Sequence, residues 1–149
     1  MQLLTFMLGD VKFGIELEQV KSIEQKMQIV SVPNVRPYIR GIMNLHGNVI
    51  PVYSLPVKFG YENVKVENII VVEENGMRIG FEVCKVQEIL NVSDKDVHVM
   101  PAIIKHSQNC FSEVASSNKN LIVTLDVGNL LTEEEREDMQ KMLANEETV

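Results

Sequence analysis

The sequence predicts a mainly β protein: two small lobes related by internal duplication, each a barrel of about five short strands, followed by one C-terminal α-helix. Three observations carry this expectation. Apolar residues alternate with period two in successive hairpin-like stretches, the sequence matches itself twice without gaps, and a helix-start signature stands at Thr132. The expected organisation is a single domain over 1–149, with lobes over 1–66 and 67–131, strands free to exchange between them, a helix over 132–143 and a frayed tail at 145–149. Lobes of about 70 residues are marginally stable alone, so they should share an interface.

The first stretch, Leu3 to Ile23, places Leu4, Phe6 and Leu8 before a polar break at Gly9-Asp10, then Phe13, Ile15 and Leu17 on alternate positions. This is the pattern of a β-hairpin. A second pair of strands flanks His46-Gly47-Asn48, where glycine supplies positive φ, with Ile42 to Leu45 on one side and Val49 to Val52 on the other. Pro51 has no backbone donor and is expected at a sheet edge or bulge. The third stretch runs from Ile69 to Val72, turns at Glu74-Asn75-Gly76 and returns from Ile79 to Val83.

A shift of 66 positions superposes Gly14 on Gly80, Glu16 on Glu82, Val20 on Val86 and Ile23 on Ile89. A shift of 72 lays Ile42 on Val114, the turn on Asn118-Lys119, Val49-Ile50 on Leu121-Ile122, and Leu55 on Val127. Hairpins resemble one another by periodicity alone, but two ungapped matches in the same order indicate duplication. Barrel closure would then remove exposed strand edges.

The C-terminal segment differs in kind. Thr132 supplies an N-cap hydroxyl, Glu133 and Glu134 place negative charge at the positive end of the helix dipole, and Glu135 completes a capping box. The acidic cluster reads as a solvated cap. Met139, Met142 and Leu143 form an apolar stripe expected to pack against a barrel.

Composition narrows the function. Fourteen basic against twenty-one acidic residues leave a formal charge of −7, which opposes the counterion release that drives nucleic-acid binding. No apolar run approaches the roughly 18 residues of a membrane span, and no basic leader precedes an apolar stretch, so the expected location is the cytoplasm. Cys84 and Cys110 are far apart, with no Cys-x-x-Cys spacing. The histidines, His46, His98 and His106, form no metal-binding pattern, and no phosphate loop, nucleophile elbow or dinucleotide fingerprint is present. The sequence therefore points to a non-enzyme without metal or cofactor. A Cys110 hydrolase with His98 or His106 stays as a remote alternative, and an OB-like nucleic-acid or oligosaccharide binder is the runner-up. The pairs Val20/Ile23 and Val86/Ile89 end the duplicated hairpin units, and two fates remain open for them: core, or surface near the lobe junction.

One constellation is specific. Leu8-Gly9-Asp10, Phe13-Gly14-Ile15, Val32-Pro33, the block Arg40-Gly41-Ile42-Met43-Asn44-Leu45-His46-Gly47-Asn48-Val49-Ile50-Pro51-Val52, Ile79-Gly80-Phe81-Glu82-Val83 and Leu125-Asp126 together resemble the CheW family. The resemblance covers almost the whole chain. It implies two five-stranded barrels like SH3 or OB folds, and a non-catalytic bacterial chemotaxis adaptor. Such an adaptor bridges the cytoplasmic hairpin tips of membrane-anchored chemoreceptors to the regulatory domain of the histidine kinase CheA, within extended arrays. It further implies a receptor groove containing Val20, Ser22, Gly41, His46, Ile69, Gly80 and Ile89. Four positions depart from the family pattern: His46 stands where arginine is usual, Ser22 and Ser54 where an acid is usual, and Cys84 where aspartate is usual. The resemblance thus implies a divergent adaptor with altered partner preference.

Overall fold

The structure is a computed structural model that describes residues 1–33, 35–99, 110–111 and 113–148. Short strands joined by tight turns make up most of it: β1 (Gln2–Leu8), β2 (Val11–Glu16), β3 (Val20–Gln25), β4 (Ile39–Leu45), β5 (Asn48–Ser54), β6 (Asn68–Glu74), β7 (Met77–Val83), β8 (Lys85–Asn91), β9 (Val97–Val99), β10 (Glu113–Ser117) and β11 (Asn120–Thr124). Helix α1 (Leu55–Lys58) follows β5, α2 (Val127–Leu130) follows β11, and α3 (Glu133–Thr148) comes last. The strands form a six-stranded sheet, ordered β8-β1-β2-β11-β10-β9, and a five-stranded sheet, ordered β3-β6-β7-β5-β4. The mainly β, two-lobed architecture with a C-terminal helix is the one the sequence predicts.

The duplication is visible element by element. Adding 66 carries β1 onto β6, residue for residue, and adding 72 carries α1 onto α2. The register repeats as well. Val52 pairs in parallel with Gly80, and the shifted residues Thr124 and Gly14 pair in parallel in the other sheet. Both β4-β5 and β10-β11 turn through two residues of positive φ, His46 (52°) and Gly47 (89°) in one, Asn118 (49°) and Lys119 (70°) in the other. That is the geometry whose twist matches paired strands.

Strands are exchanged between the lobes. The chain leaves β2 in the six-stranded lobe and enters β3 at the edge of the five-stranded sheet, while β7 passes through Cys84 into β8 at the edge of the other. Neither lobe therefore corresponds to one continuous half of the sequence. The expected barrel closure is also modified, because among the described residues both sheets run open from edge to edge. The chain beyond β3 instead returns to cover β4 through a single bridge, Val30 to Ile42, with N···O distances of 2.9 Å in both directions. In the other lobe β9 does the same for β10, pairing His98 with Val114, the counterpart of Ile42.

That bridge accounts for Pro51, which lies inside β5 between two neighbours rather than at an edge. Ile42, opposite Pro51, turns its own N–H and C=O outward to Val30, so this cross-strand pair is one that exchanges no hydrogen bonds. Parallel pairing to β7 begins one residue later, at Val52. No ladder bond is lost.

Among the described residues, three apolar clusters stabilise the molecule. Each lobe has its own interior, Met43, Ile50, Val52, Ile69 and Val71 in one, and Leu3, Val92, Ala115 and Ile122 in the other. The largest lies between the sheets and joins Leu4, Phe6, Phe13 and Ile15 to Ile70, Val72, Ile79 and Phe81. Thr5 occupies the position matching Val71, and its buried hydroxyl is satisfied by the backbone of Glu88, donating to the carbonyl at 2.8 Å and accepting from the N–H at 3.1 Å.

Helix α3 starts where expected, with the predicted capping box: Thr132 Oγ1 accepts from Glu135 N at 3.1 Å and Glu135 Oε1 accepts from Thr132 N at 2.9 Å. The expectation of a wholly solvated acidic cluster is wrong for Glu135, which is completely buried and accepts a 2.5 Å hydrogen bond from the Tyr53 hydroxyl. Reaching back to cap the helix turns the carboxylate toward β5. The helix also continues to Thr148, through the stretch expected to fray. Ala and Glu favour helix there, and the sequence contains no Gly or Pro stop. Met139 and Met142 are buried, as the apolar stripe predicts, and Arg136 grips Glu74 with both ends of its guanidinium at 3.1 and 2.9 Å. Arg36 binds Glu134 and Asp138 on the same helix. The tail of the chain is thereby fastened to the five-stranded lobe.

Tyr53→Phe removes the hydroxyl and leaves the buried Glu135 carboxylate one donor short. The expected loss is about 1–3 kcal/mol of stability, a fall of roughly 2–8 °C in melting temperature by calorimetry. An unchanged transition would show that the hydrogen bond contributes nothing.

Candidate protein-docking site

The seven residues expected in a groove divide into two groups. Gly41, Gly80 and Ile69 are buried within the five-stranded lobe and present no surface. Gly41, Val52, Gly80, Val71 and Ser22 form one cross-strand row through β4, β5, β7, β6 and β3. Because paired residues share a face, this row looks toward the interior of its lobe. A Cβ at Gly80 would lie 2.9 Å from both Ile69 Cγ2 and Met43 Cε. At Gly41, with φ of 143°, it would lie 2.0 Å from the carbonyl oxygen of Val30, within the bridge that covers β4. The close approach these glycines permit is internal packing, and Ile69 fills the lobe rather than a docking groove.

The second group is accessible. Val20 is half-buried at the start of β3 and packs on the core between the lobes, and Ser22 is half-buried beside Val71. Ile89 is 51% exposed on β8, and its duplicate, Ile23, is 43% exposed on β3. Ile23 pairs with Ile70 and Ile89 with Leu4, both members of the shared core, so each isoleucine stands at the rim of that core on an edge strand. The two fates left open for these pairs both occur: Val20 and Val86 pack inward, while Ile23 and Ile89 remain surface. His46 is exposed in the β4-β5 turn. β3 and β4 are opposite edges of the sheet, so Ser22 and His46 are not cross-strand partners.

The edge strands β3 and β8 meet at one side chain. Asn68 Nδ2 donates to the Glu24 carbonyl at 3.4 Å, and Asn68 Oδ1 accepts from Val86 N at 3.0 Å. Around it lies a concavity of about 420 Å³ lined by Gln25, Lys26, Lys65, Glu67, Asn68 and Lys85. The duplication places Gln2 where Asn68 stands, and a concavity of about 300 Å³ beside it is lined by Met1, Gln2, Glu16, Leu17 and Glu18. The first lining is mainly basic and the second acidic. Burial, then hydrogen bonding and repulsion from Glu18, hold the Glu16 carboxyl above its usual range. Sequence reasoning missed both clefts, since their charged residues are scattered along the chain.

Of the departures from the expected charge pattern, Ser54 has a local explanation. It is buried, caps α1 by accepting from Val57 N at 3.2 Å, and pairs with the buried Glu82 on the neighbouring strand. Its duplicate, Asp126, caps α2 by accepting from Gly128 N at 3.0 Å. Serine and aspartate cap helices about equally well, and serine avoids a second carboxylate beside Glu82. Burial already pushes Glu82 up, opposed by Arg40 Nε at 3.4 Å.

A family model described as a CheW-like domain matches residues 2–135. The chain belongs to the CheW family. It is 26% identical over 134 residues to the chemotaxis protein CheW of Helicobacter pylori, covering 88% of this chain and 81% of that one. With the chemotaxis protein CheW of Bacillus subtilis it shares 26% identity over 137 residues, covering 89% and 88%. The fold is that of the scaffolding protein TtCheW from Thermoanaerobacter tengcongensis, with a TM-score of 0.82 at 23% identity over 90% of this chain and 89% of that one. As a member of the CheW family the chain is a non-catalytic chemotaxis adaptor.

The competing readings lack physical support. Burial pushes the Cys110 thiol up to about 11, which keeps it protonated and unreactive at neutral pH. His98 is exposed on β9, and His106 lies outside the described residues. Stacking of single-stranded nucleic acid needs exposed rings, but every phenylalanine and tyrosine is buried or half-buried. Phe13 packs on Phe6 and Phe59 with centroids 5.9 Å apart in each pair.

Gly41→Ala is expected to destabilise more than Gly80→Ala, because its clash is with rigid backbone and its φ disfavours a side chain. For Gly80→Ala the expected cost is about 1–3 kcal/mol, measured by urea unfolding; equal stability for both variants would refute the packing role. Since the Cys110 pKa rises from 9.0 to about 11 on folding, the folded state holds a proton that the unfolded state releases. This contribution to stability is complete below about pH 9 and declines as pH rises toward about 11. Alanine at Cys110 should flatten that limb of a pH-stability curve.

Proposed function

We propose that this chain couples the cytoplasmic hairpin tips of chemoreceptors to the regulatory domain of the kinase CheA, in the cytoplasm beside membrane-anchored receptor arrays. The observation that carries this reading is the pair of duplicated edge strands. β3 and β8 converge at Asn68 and each keeps an isoleucine, Ile23 and Ile89, exposed at the rim of the core between the lobes. A helical hairpin lying along these rims would bury both isoleucines against an apolar floor that already exists, at roughly 25 cal/mol for each Å² removed from water. Val20 and Ser22 border the same strand, whereas His46 stands on a separate hairpin and would meet a different part of the partner. No chemistry is required. Two lobes with separate outer faces suffice to hold two proteins at a defined distance.

The test is reconstitution with receptor and kinase fragments from the same organism. The three proteins should elute together from a sizing column, and omission of this chain should separate receptor from kinase. Ile89→Asp is expected to weaken receptor binding about tenfold or more, as for a central apolar contact, with little change in melting temperature. Co-elution without this chain would exclude the adaptor role.

A further inference from the structure

The basic cleft at the meeting point of β3 and β8 is not explained by stability. Lys26, Lys65 and Lys85 come from three separate segments, the residue after β3, the loop leading to β6 and the start of β8. All three are exposed, and the one carboxylate lining the cleft, Glu67, lies 3.9 Å from Lys65. Several other basic residues face acids one to one or are outnumbered: Lys12 with Glu88, Lys21 with Glu73, Arg36 with Glu134 and Asp138. Here three cations share one anion, in a chain of net charge −7. Like charges gathered on a surface repel, so the arrangement carries an electrostatic cost that a ligand would relieve.

The duplication does not repeat this lining. The 66-residue shift sets Gln19 against Lys85 and Val92 against Lys26, and the concavity beside Gln2 carries Glu16 and Glu18 and no lysine or arginine.

We propose that the Lys26/Lys65/Lys85 cleft is a specificity-determining site that receives carboxylate side chains of the docked receptor hairpin. This rests on the adaptor reading and names the receptor chemistry it requires. A protein segment fits better than a polyanionic surface. The net negative charge of the chain repels an extended anionic membrane or nucleic acid, whereas two or three carboxylates presented at contact distance interact within a Debye length of about 8 Å at physiological salt. The amides of Gln25 and Asn68 and the carboxylate of Glu67 in the same lining suit a mixed polar peptide face rather than a bare phosphate. The cleft is continuous with the apolar rims, since Ile23 lies on β3 three residues before Lys26 and Ile89 follows Lys85 on β8. Apolar area would then supply affinity and the lysines would supply register and discrimination.

The experiment uses the full chain, the receptor cytoplasmic fragment and the kinase regulatory fragment, with affinities measured by titration calorimetry at two salt concentrations. Replacing all three lysines with glutamate (K26E, K65E, K85E) should weaken receptor binding about tenfold or more and abolish its decline with salt. Glutamine at the same positions should fall between, and Glu18→Gln in the concavity beside Gln2 should leave receptor affinity unchanged. Circular dichroism confirms that each variant is folded. Equal affinity and equal salt dependence for wild type and the glutamate variant overturn the proposal while leaving the adaptor reading intact. Failure of the wild type to bind receptor at all overturns both. An equal loss toward receptor and kinase overturns it by showing general electrostatics, and loss of binding to phosphatidylglycerol vesicles with receptor affinity intact overturns it in favour of a lipid site.

Discussion

The shared core depends on one constraint, the exchange of an edge strand between the two lobes. β3 is reached from the six-stranded sheet but pairs with β6, and β8 is reached from the five-stranded sheet but pairs with β1. Each crossing draws the sheets face to face, so that Leu4 and Phe6 meet Ile70 and Phe81 in one apolar layer. A lobe without the exchanged strand would leave the edge of β6 or of β1 unpaired. The duplication could have made two independent units; the exchange interlocks them instead, and it leaves β3 and β8 as edge strands.

A second consequence follows at the C-terminus. After α2 the chain has completed the six-stranded lobe, yet α3 packs on β5 and β4 of the other. The anchors differ in kind. Tyr53 and Glu135 form a buried hydrogen bond, Arg136 holds Glu74 at the tip of the β6-β7 hairpin, and Arg36 holds two acids on an outer face. The helix thus ties the chain leaving the six-stranded lobe to the five-stranded lobe, independently of the edge strands.

Much of this was legible in linear form. Hairpins at Gly9, Asn75 and His46-Gly47 follow from alternation and turn chemistry, and the capping box at Thr132 and Glu135 was readable three residues apart. What failed did so for stated reasons. Glu135 was read as solvated because a cap is usually a surface feature, and nothing local shows that Tyr53 lies opposite. Gly41, Gly80 and Ile69 were read as groove residues because small and apolar residues serve packing and docking alike; only the row Gly41, Val52, Gly80, Val71 shows that they face inward. Pro51 is expected at an edge or a bulge because a missing donor is harmless there, and it is equally harmless opposite Ile42, which turns its polar groups to Val30.

By itself the sequence determined what is local or periodic: strands, turns, caps, the duplication, and a family pattern long enough to name an adaptor. Those features need neighbours only a few residues away, or compare the chain with itself. The tertiary structure alone decided which strands change lobes, which isoleucines of equivalent pairs remain exposed, and that Lys26, Lys65 and Lys85 share a cleft. Such facts depend on contacts between residues tens of positions apart, and side-chain chemistry does not state which distant backbone will lie beside it.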